Sequence, residues 1–144
     1  MNKELLSVDE ALETLLAGAQ PVSEIEQAPT MTAVNRVLAR AQTSAMDVPP
    51  MDNSAMDGYA IRVSDVSSSN KELRISQRIP AGSVGRPLEP GTAARIFTGA
   101  PVPPGADAVV MQEHCSVSGD FIVIKKSPKK GAWIRLTASD IRAG

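Results

Sequence analysis

The chain has 144 residues with a hydrophobic content of 42%, enough apolar material for one ordinary domain or two small lobes. Its formal net charge of −1 at pH 7 and its aromatic content of only 3% give no electrostatic or base-stacking reason to bind nucleic acid. A globular protein without a nucleic-acid partner is therefore expected.

Cysteine usage and the N-terminal residues set the expected compartment. Cys115 is the only cysteine, which excludes an intramolecular disulfide and a zinc site made of thiolates alone. The N-terminal residues contain no apolar signal core, and no apolar run is long enough to span a bilayer. These features predict a cytoplasmic protein with no membrane partner.

The first predicted element is an N-terminal helix. Ser7 and Glu10 have the spacing of a capping box, in which each side chain satisfies a backbone donor at the start of a helix. An apolar stripe then follows on one face of a helix that ends near Gly18: Val8, Ala11, Leu12, Leu15 and Leu16. A further helical turn is predicted over residues 34–38, and a strand over residues 41–45.

A change of composition after Met46 predicts a lobe boundary. Pro49-Pro50 disfavours a helix, and residues 52–58 are mostly turn formers and small residues. We therefore divide the chain into a helical and linker region, residues 1–52, and a β-rich lobe, residues 53–144.

Short β-like runs, separated by Gly, Pro and Ser clusters, dominate the second region. The runs are residues 59–63, 73–79, 93–97, 108–112, 121–124 and 134–136. Ser118-Gly119-Asp120 is predicted to be a hairpin turn, and Ser67-Ser68-Ser69-Asn70 a flexible tip. The predicted fold class is α+β, with an N-terminal helix and an extended linker followed by a β-rich, barrel-like or sandwich-like lobe.

The first segment that suggests chemistry runs from Pro50 to Ala60 and reads PMDNSAMDGYA. Its small residues are expected to leave backbone N–H groups accessible, and consecutive N–H groups in a turn bind anions. Its two carboxylates suit a hard cation such as Mg²⁺. The structural alternative is an Asx-rich turn that caps a strand.

The second segment runs from Arg95 to Asp107 and reads RIFTGAPVPPGAD. It predicts a strand that enters a loop stiffened by proline, and a rigid loop holds a ligand at little further entropic cost. The structural alternative is a connection whose prolines prevent edge-to-edge pairing of strands.

These two segments, in this order and at this separation, resemble the molybdopterin molybdenumtransferase family, which includes bacterial MoeA and the E domain of gephyrin. Residues 36–39, 106–113, 134–135 and 140–144 extend the resemblance over essentially the whole chain. It implies a role in molybdenum cofactor biosynthesis. In that reaction, molybdate is inserted into adenylylated molybdopterin with the help of Mg²⁺, and AMP is released.

The resemblance also implies roles for individual residues. Asp57, Thr98 and Asp140 are the candidate catalytic residues, and the two aspartates are the candidate Mg²⁺ ligands. The candidate cofactor-binding residues lie in the same two segments: Asn53, Ser54, Gly58 and Gly99. Ala138-Ser139 stands where the family usually has Gly-Glu, and Leu136-Thr137 replaces an Arg-rich stretch, so the region around Asp140 has fewer ligands than usual.

The resemblance implies further domains and partners. Family members continue into an α/β domain that grips the pterin and into a C-terminal β domain, and both are expected to be absent from these residues. They are homodimers whose site forms between two subunits, and a molybdopterin adenylyltransferase is a further partner. The isolated chain is therefore expected to be inactive. The alternative is a non-catalytic binding or scaffold module, or a truncated fragment that keeps only dimer or domain contacts.

Outside the two segments, the pair His114-Cys115 suggests a metal or nucleophile site. Adjacent residues of a strand point to opposite faces, which favours a structural role for both.

Overall fold

The computed structural model describes residues 5–66 and 72–144, which contain one α-helix, α1 (Val8–Gly18), and eight β-strands. The strands are β1 (Asn53–Ser54), β2 (Gly58–Ile61), β3 (Glu72–Ile79), β4 (Thr92–Ile96), β5 (Ala108–Met111), β6 (Cys115–Ser118), β7 (Phe121–Ile124) and β8 (Ile134–Arg135). The predicted flexible tip at residues 67–70 lies outside the described residues.

The contacts within the chain define two compact units, Met1–Ala41 and Gln42–Gly144. Residues 42–52 therefore belong with the strands by their contacts. The division at residue 52, which rests on composition, stays a prediction about domains.

In the first unit, α1 begins with a capping box. The Ser7 hydroxyl accepts a hydrogen bond from the Glu10 backbone N–H at 3.3 Å, and the Glu10 carboxylate accepts one from the Ser7 N–H at 2.8 Å. None of the helices in the described residues has the length and apolar character needed to span a membrane.

Two local predictions in the linker are wrong. No helix forms over residues 34–38, because Asn35 has φ 67°, a left-handed backbone conformation that does not continue an α-helix. A 3₁₀ turn lies earlier, at Thr30–Thr32. The strand predicted over residues 41–45 is reduced to one isolated bridge between Ser44 and Ala143.

In the second unit, six strands form one curled, half-barrel sheet in the order β5-β2-β4-β3-β7-β6. The pairing of β3 with β4 is parallel, and the other pairings are antiparallel. β1 and β8 form a separate antiparallel pair. The prediction of a β-rich lobe is confirmed, and each of the six predicted runs overlaps an observed strand.

Both faces of the sheet carry apolar side chains because successive residues of a strand point to opposite faces. Along β2, Tyr59 and Ile61 join one core cluster, whereas Ala60 joins the other. Along β5, Val110 and Val109 divide in the same way. These short strands, with side chains buried on both faces, give the site a rigid base.

Two strands were missed from the sequence for local reasons. β1 has only two residues, and β6 follows directly after a 3₁₀ turn at Gln112–His114. β6 joins β7 through the predicted hairpin turn, in which Gly119 adopts φ 57°.

The apolar stripe of α1 generates the first prediction. No residue of α1 is buried, and Val8, Leu12, Leu15 and Leu16 are between 52% and 84% exposed. An exposed apolar stripe of this kind favours association, so we expect the chain to sediment as oligomers at high concentration. The double substitution Leu12→Glu and Leu15→Glu should restore a monomer. The matched control is Thr14→Glu, and a strictly monomeric parent chain would contradict the prediction.

Candidate functional site

The register of the sheet brings Asp57 and Thr98 together. β2 and β4 run antiparallel, and Gly58 lies opposite Ile96. The residue before β2 and the residues after β4 therefore lie at the same end of the sheet. There the Thr98 backbone N–H and hydroxyl donate to Asp57 Oδ1 at 2.9 Å and 2.7 Å.

These two hydrogen bonds stabilise the ionised form of Asp57. The backbone N–H of Thr98, and to a smaller extent its hydroxyl, lower the pKa of the Asp57 carboxyl below its ordinary value. Slight desolvation opposes this shift, and Arg95 adds to it weakly. In the part of the chain that the structure describes, Oδ2 of Asp57 accepts no hydrogen bond. The exposed side chain thus presents an ionised oxygen to solvent.

The two segments are joined by backbone hydrogen bonds. Ser54 N–H donates to the Ala100 carbonyl at 2.9 Å, and Gly99 N–H donates to the Ser54 carbonyl at 2.8 Å. Val102 N–H donates to the Asp52 carbonyl at 2.9 Å. This ladder fixes the loop that carries Asp57 against the loop that carries Thr98.

The expectation of accessible backbone N–H groups is wrong for most of this site. Ala55 N–H donates to the Trp133 carbonyl, and Ala100 N–H donates to the Phe97 carbonyl. The N–H groups of Ser54, Met56, Thr98 and Gly99 also donate within the protein. Small residues allow the two loops to approach closely, and closely packed loops satisfy each other's donors instead of presenting them to an anion.

Two of the candidate cofactor-binding residues have structural explanations. Ser54 is fully buried, and its hydroxyl donates to the Met56 carbonyl at 2.6 Å. Gly58 is buried in β2, where a Cβ atom would lie 1.9 Å from the Val110 carbonyl oxygen. Close approach of β5 therefore requires glycine at this position.

The other two candidates differ from these. Gly99 is exposed and has φ 81°, a conformation that favours glycine. Asn53 is half-buried, and its Oδ1 is a buried acceptor without a hydrogen-bond partner among the described residues. Ligand roles for both residues stay predictions.

Asp140 has a separate set of contacts. Its exposed carboxylate accepts a hydrogen bond from the Ser139 hydroxyl at 3.2 Å, and its backbone N–H donates to the Val48 carbonyl at 2.9 Å. Across residues 5–66 and 72–144, the His, Cys, Asp and Glu side chains form no group of three or more that could hold a metal ion. The contacts thus join Asp57 to Thr98 and leave the roles of Asp140 as predictions.

Sequence reasoning missed Arg95 as a site residue. Its guanidinium donates to the Gly58 carbonyl at 2.9 Å and to Gln112 Oε1 at 2.7 Å. Gln112 N–H in turn donates to the Asp57 carbonyl at 3.1 Å. A charged residue between the buried Ala94 and Ile96 was the available signal, because such a position requires specific partners.

His114 and Cys115 form no shared site. His114 ends a 3₁₀ turn, whereas Cys115 begins β6 and is buried. Burial raises the pKa of the Cys115 thiol to about 11, which makes it a poor nucleophile.

The sequence of this chain matches a known protein family over almost its whole length. The sequence pattern of the family described as "MoeA N-terminal region (domain I and II)" matches residues 6–144. The chain belongs to this family. A molybdopterin molybdenumtransferase from Nostoc is 47% identical over 117 residues, which cover 78% of this chain and 27% of the relative. One from Haemophilus influenzae is 36% identical over 142 residues, which cover 97% of this chain and 35% of the relative.

A solved structure of this family supports the fold. The molybdopterin biosynthesis MoeA protein from Pyrococcus horikoshii OT3 has a TM-score of 0.82 and 36% identity to this chain. The match covers 98% of this chain and 38% of that protein. The chain thus spans about a third of the length of the relatives that it matches.

Gly58 provides a test of its structural role. Gly58→Ala should lower the free energy of unfolding by about 2 kcal/mol or more, because the added methyl group overlaps the Val110 carbonyl. Gly18→Ala is the control, since no atom lies within 4 Å of a Cβ built there. Urea unfolding measures both. Equal stability of the Gly58→Ala variant and the parent would contradict the close approach of β2 and β5.

The pair Asp57–Thr98 provides a test of the electrostatics. Thr98→Val should raise the pKa of Asp57 only part of the way to its ordinary value, because the backbone N–H is the larger cause of the shift and remains. Carbon-detected NMR titration of the carboxyl measures this pKa. Thr137→Val removes the same hydroxyl contact from Asp52 and should leave Asp57 unchanged.

The sign of the corresponding stability effect follows from the lowered pKa. Any stabilisation from the ionised Asp57 is present above the ordinary carboxyl pKa and is lost as the pH falls through the folded-state pKa.

In the NMR titration, complete recovery of the ordinary Asp57 pKa in Thr98→Val would show that the hydroxyl, and not the backbone N–H, is the main cause of the shift.

Proposed function

We propose that this chain is the N-terminal part of a molybdenum insertase, which inserts molybdate into adenylylated molybdopterin and releases AMP. The family assignment and the names of its relatives support a role in molybdenum cofactor biosynthesis. The observation that carries the proposal is the Asp57–Thr98 pair, an ionised carboxylate held on rigid backbone at one end of the sheet.

The geometry suggests how the pair acts. The Thr98 hydroxyl donates its hydrogen bond to Asp57 Oδ1, so it is not available to donate to a molybdate oxygen while the pair is intact. An ionised carboxylate also repels the molybdate dianion. Asp57 is therefore better suited to accept a hydrogen bond from a water molecule than to hold molybdate itself.

Cleavage of the phosphoanhydride by water breaks one phosphorus–oxygen bond of the P–O–P link, forms a phosphorus–oxygen bond to the water oxygen, and releases AMP and the pterin with its own phosphate. Oδ2 of Asp57 would orient that water by accepting a hydrogen bond from it, and the protons of the water pass to the phosphate oxygens of the products and to solvent. Thr98 fixes the carboxylate during this step through its two hydrogen bonds. Insertion of molybdenum then depends on how the pterin and molybdate are positioned next to the Asp57–Thr98 pair.

Mg²⁺ fits this site only in part. The ion prefers six oxygen ligands, and Oδ2 of Asp57 offers one of them. Within the described ranges no cluster of three or more acidic, imidazole or thiol side chains completes the set. Phosphate oxygens and water would have to supply the rest, so we assign no step to Mg²⁺ here.

The wider context is proposed from the resemblance. A homodimer would place the α/β domain of one subunit against the Asp57–Thr98 pair of the other. The protein would work in the cytoplasm, where a molybdopterin adenylyltransferase would supply the adenylylated pterin.

One observation favours a second function: the exposed apolar stripe of α1 suits a binding or scaffold role. The two functions use different units of the chain.

Substitution of Asp57 tests the catalytic proposal. In a chimera that joins this chain to the C-terminal domains of an active insertase, Asp57→Asn should reduce molybdenum insertion about tenfold or more, because it replaces the charged acceptor that orients the water with a neutral amide. The melting temperature should change by less than about 2 °C, because the exposed side chain keeps its shape. The isolated 144 residues should show no turnover.

A matched control separates chemistry from loop structure. Asp52 accepts hydrogen bonds from the Thr137 N–H and hydroxyl at 2.8 Å and 2.9 Å, the same pattern that Asp57 makes with Thr98. Asp52→Asn should leave the insertion rate within about twofold of the parent. Equal rates in the Asp57→Asn chimera and the parent would show that Asp57 is a turn residue.

A further inference from the structure

Two arginines face each other across the parallel pair of strands β3 and β4. Arg78 and Arg95 are direct Cα partners in this pairing. The Cζ atom of each guanidinium lies 4.4 Å from the centroid of the Phe97 ring. Directly opposed like charges destabilise a sheet, so their convergence on one ring requires a compensating interaction.

The aromatic ring compensates only part of this charge. Cation–π contacts attract each guanidinium to Phe97 but leave its formal charge in place. Ion pairs join Arg36 to Glu26, Arg74 to Glu89 and Lys130 to Asp107, and neither Arg78 nor Arg95 forms an ion pair with a described residue. Arg95 donates to neutral acceptors, the Gly58 carbonyl and Gln112 Oε1. Arg78 is exposed.

The position of this charge matters for the site. Phe97 directly precedes Thr98, and Arg95 contacts Gly58, the residue after Asp57. Arg95 lies close enough to Asp57 to contribute to its lowered pKa, and Arg78 shares the Phe97 ring with Arg95. A planar guanidinium that is stacked on a ring keeps its N–H edge free for bidentate contact with a phosphate group.

We propose that Arg78, Arg95 and Phe97 form an oxyanion-binding surface that takes a phosphate or pyrophosphate group of the ligand next to Asp57. The assignment of the ligand rests on the proposed function, because the phosphoanhydride to be cleaved is the pyrophosphate group of the adenylylated substrate. The surface holds the anion through Arg78, whereas Arg95 is held by its own partners and supplies the second positive charge.

The surface differs from the other basic regions of the chain. Arg74, on the same strand, is engaged with Glu89 at 3.9 Å. Lys125, Lys126, Lys129 and Lys130 are exposed, and none of them stacks on an aromatic ring within the described residues. Selective binding at Arg78 is therefore expected, whereas non-specific attraction would involve all of these residues alike.

Direct binding to the 144-residue chain tests the proposal. Inorganic pyrophosphate and AMP are titrated in separate arms at about 0.15 M salt, where long-range attraction is screened, and NMR follows the backbone amides and arginine Nε–H groups. We expect pyrophosphate to shift the signals of Arg78, Arg95, Phe97 and Thr98. An AMP arm that shifts the same signals shows that the phosphate of a nucleotide also reaches the surface.

Charge-matched variants decide between a site and general attraction. Arg78→Gln should weaken pyrophosphate binding about fivefold, whereas Arg74→Gln, with the same loss of charge on the same strand, should weaken it less than about twofold. Arg78→Lys should fall between the parent and Arg78→Gln, because it keeps the charge but loses the planar fork.

Three results would overturn the proposal: equal losses in Arg78→Gln and Arg74→Gln, shifts centred on the lysines of residues 125–130, or no shift at about 10 mM pyrophosphate. This outcome is separate from the outcome for the proposed function. Pyrophosphate binding that depends on Arg78, together with an active Asp57→Asn chimera, would support the surface and reject the catalytic role of Asp57.

Discussion

The antiparallel register of β2 and β4 is the constraint on which the site depends. Gly58 lies opposite Ile96, so Asp57 and Thr98 leave the sheet at the same end and meet. Gly58 has no side chain, and β5 approaches β2 on the side away from β4, where the Val110 carbonyl occupies the space that a Cβ atom would need. Gly58, a buried position that tolerates no Cβ atom, directly follows Asp57, whose exposed carboxylate is held by Thr98. The packing of the sheet is thus linked to the position of this carboxylate at the end of the sheet.

Two aspartate–threonine pairs in this chain share one hydrogen-bond pattern but have different surroundings. Asp52–Thr137 joins the segment before β1 to the segment after β8 and so closes the second unit. Asp57 lies near Arg95, which shares the Phe97 ring with Arg78. The hydrogen bonds alone therefore do not identify a functional carboxylate. The charge around the pair distinguishes the two, since a ligand with phosphate groups is attracted only where positive charge is left uncompensated.

The same close packing that builds the site removes one of its expected features. Glycines, alanines and serines in the two loops were expected to expose backbone N–H groups to an anion. Instead they let the loops approach so closely that Ser54 forms backbone hydrogen bonds with both Gly99 and Ala100. We propose that arginine side chains on β3 and β4, and not the backbone, recognise the anion. Backbone donors rarely stay unsatisfied when another loop is within reach.

The sequence by itself determined the α1 capping box, the β-rich lobe and the two loop segments, because each depends on neighbouring residues: the Ser7–Glu10 spacing, alternating apolar residues, and Pro and Gly at turns. Only the tertiary structure decided which loop residues meet. Asp57 and Thr98 are 41 residues apart in the sequence. Arg78 lies opposite Arg95 because β3 and β4 pair in parallel with a shift of register between Ile75 and Gln77. Local failures have the same cause, since the left-handed backbone at Asn35 overrode a helical pattern of apolar residues. The spacing of residue types in a sequence reflects periodicity along the chain, whereas the register between strands depends on the packing of the whole sheet.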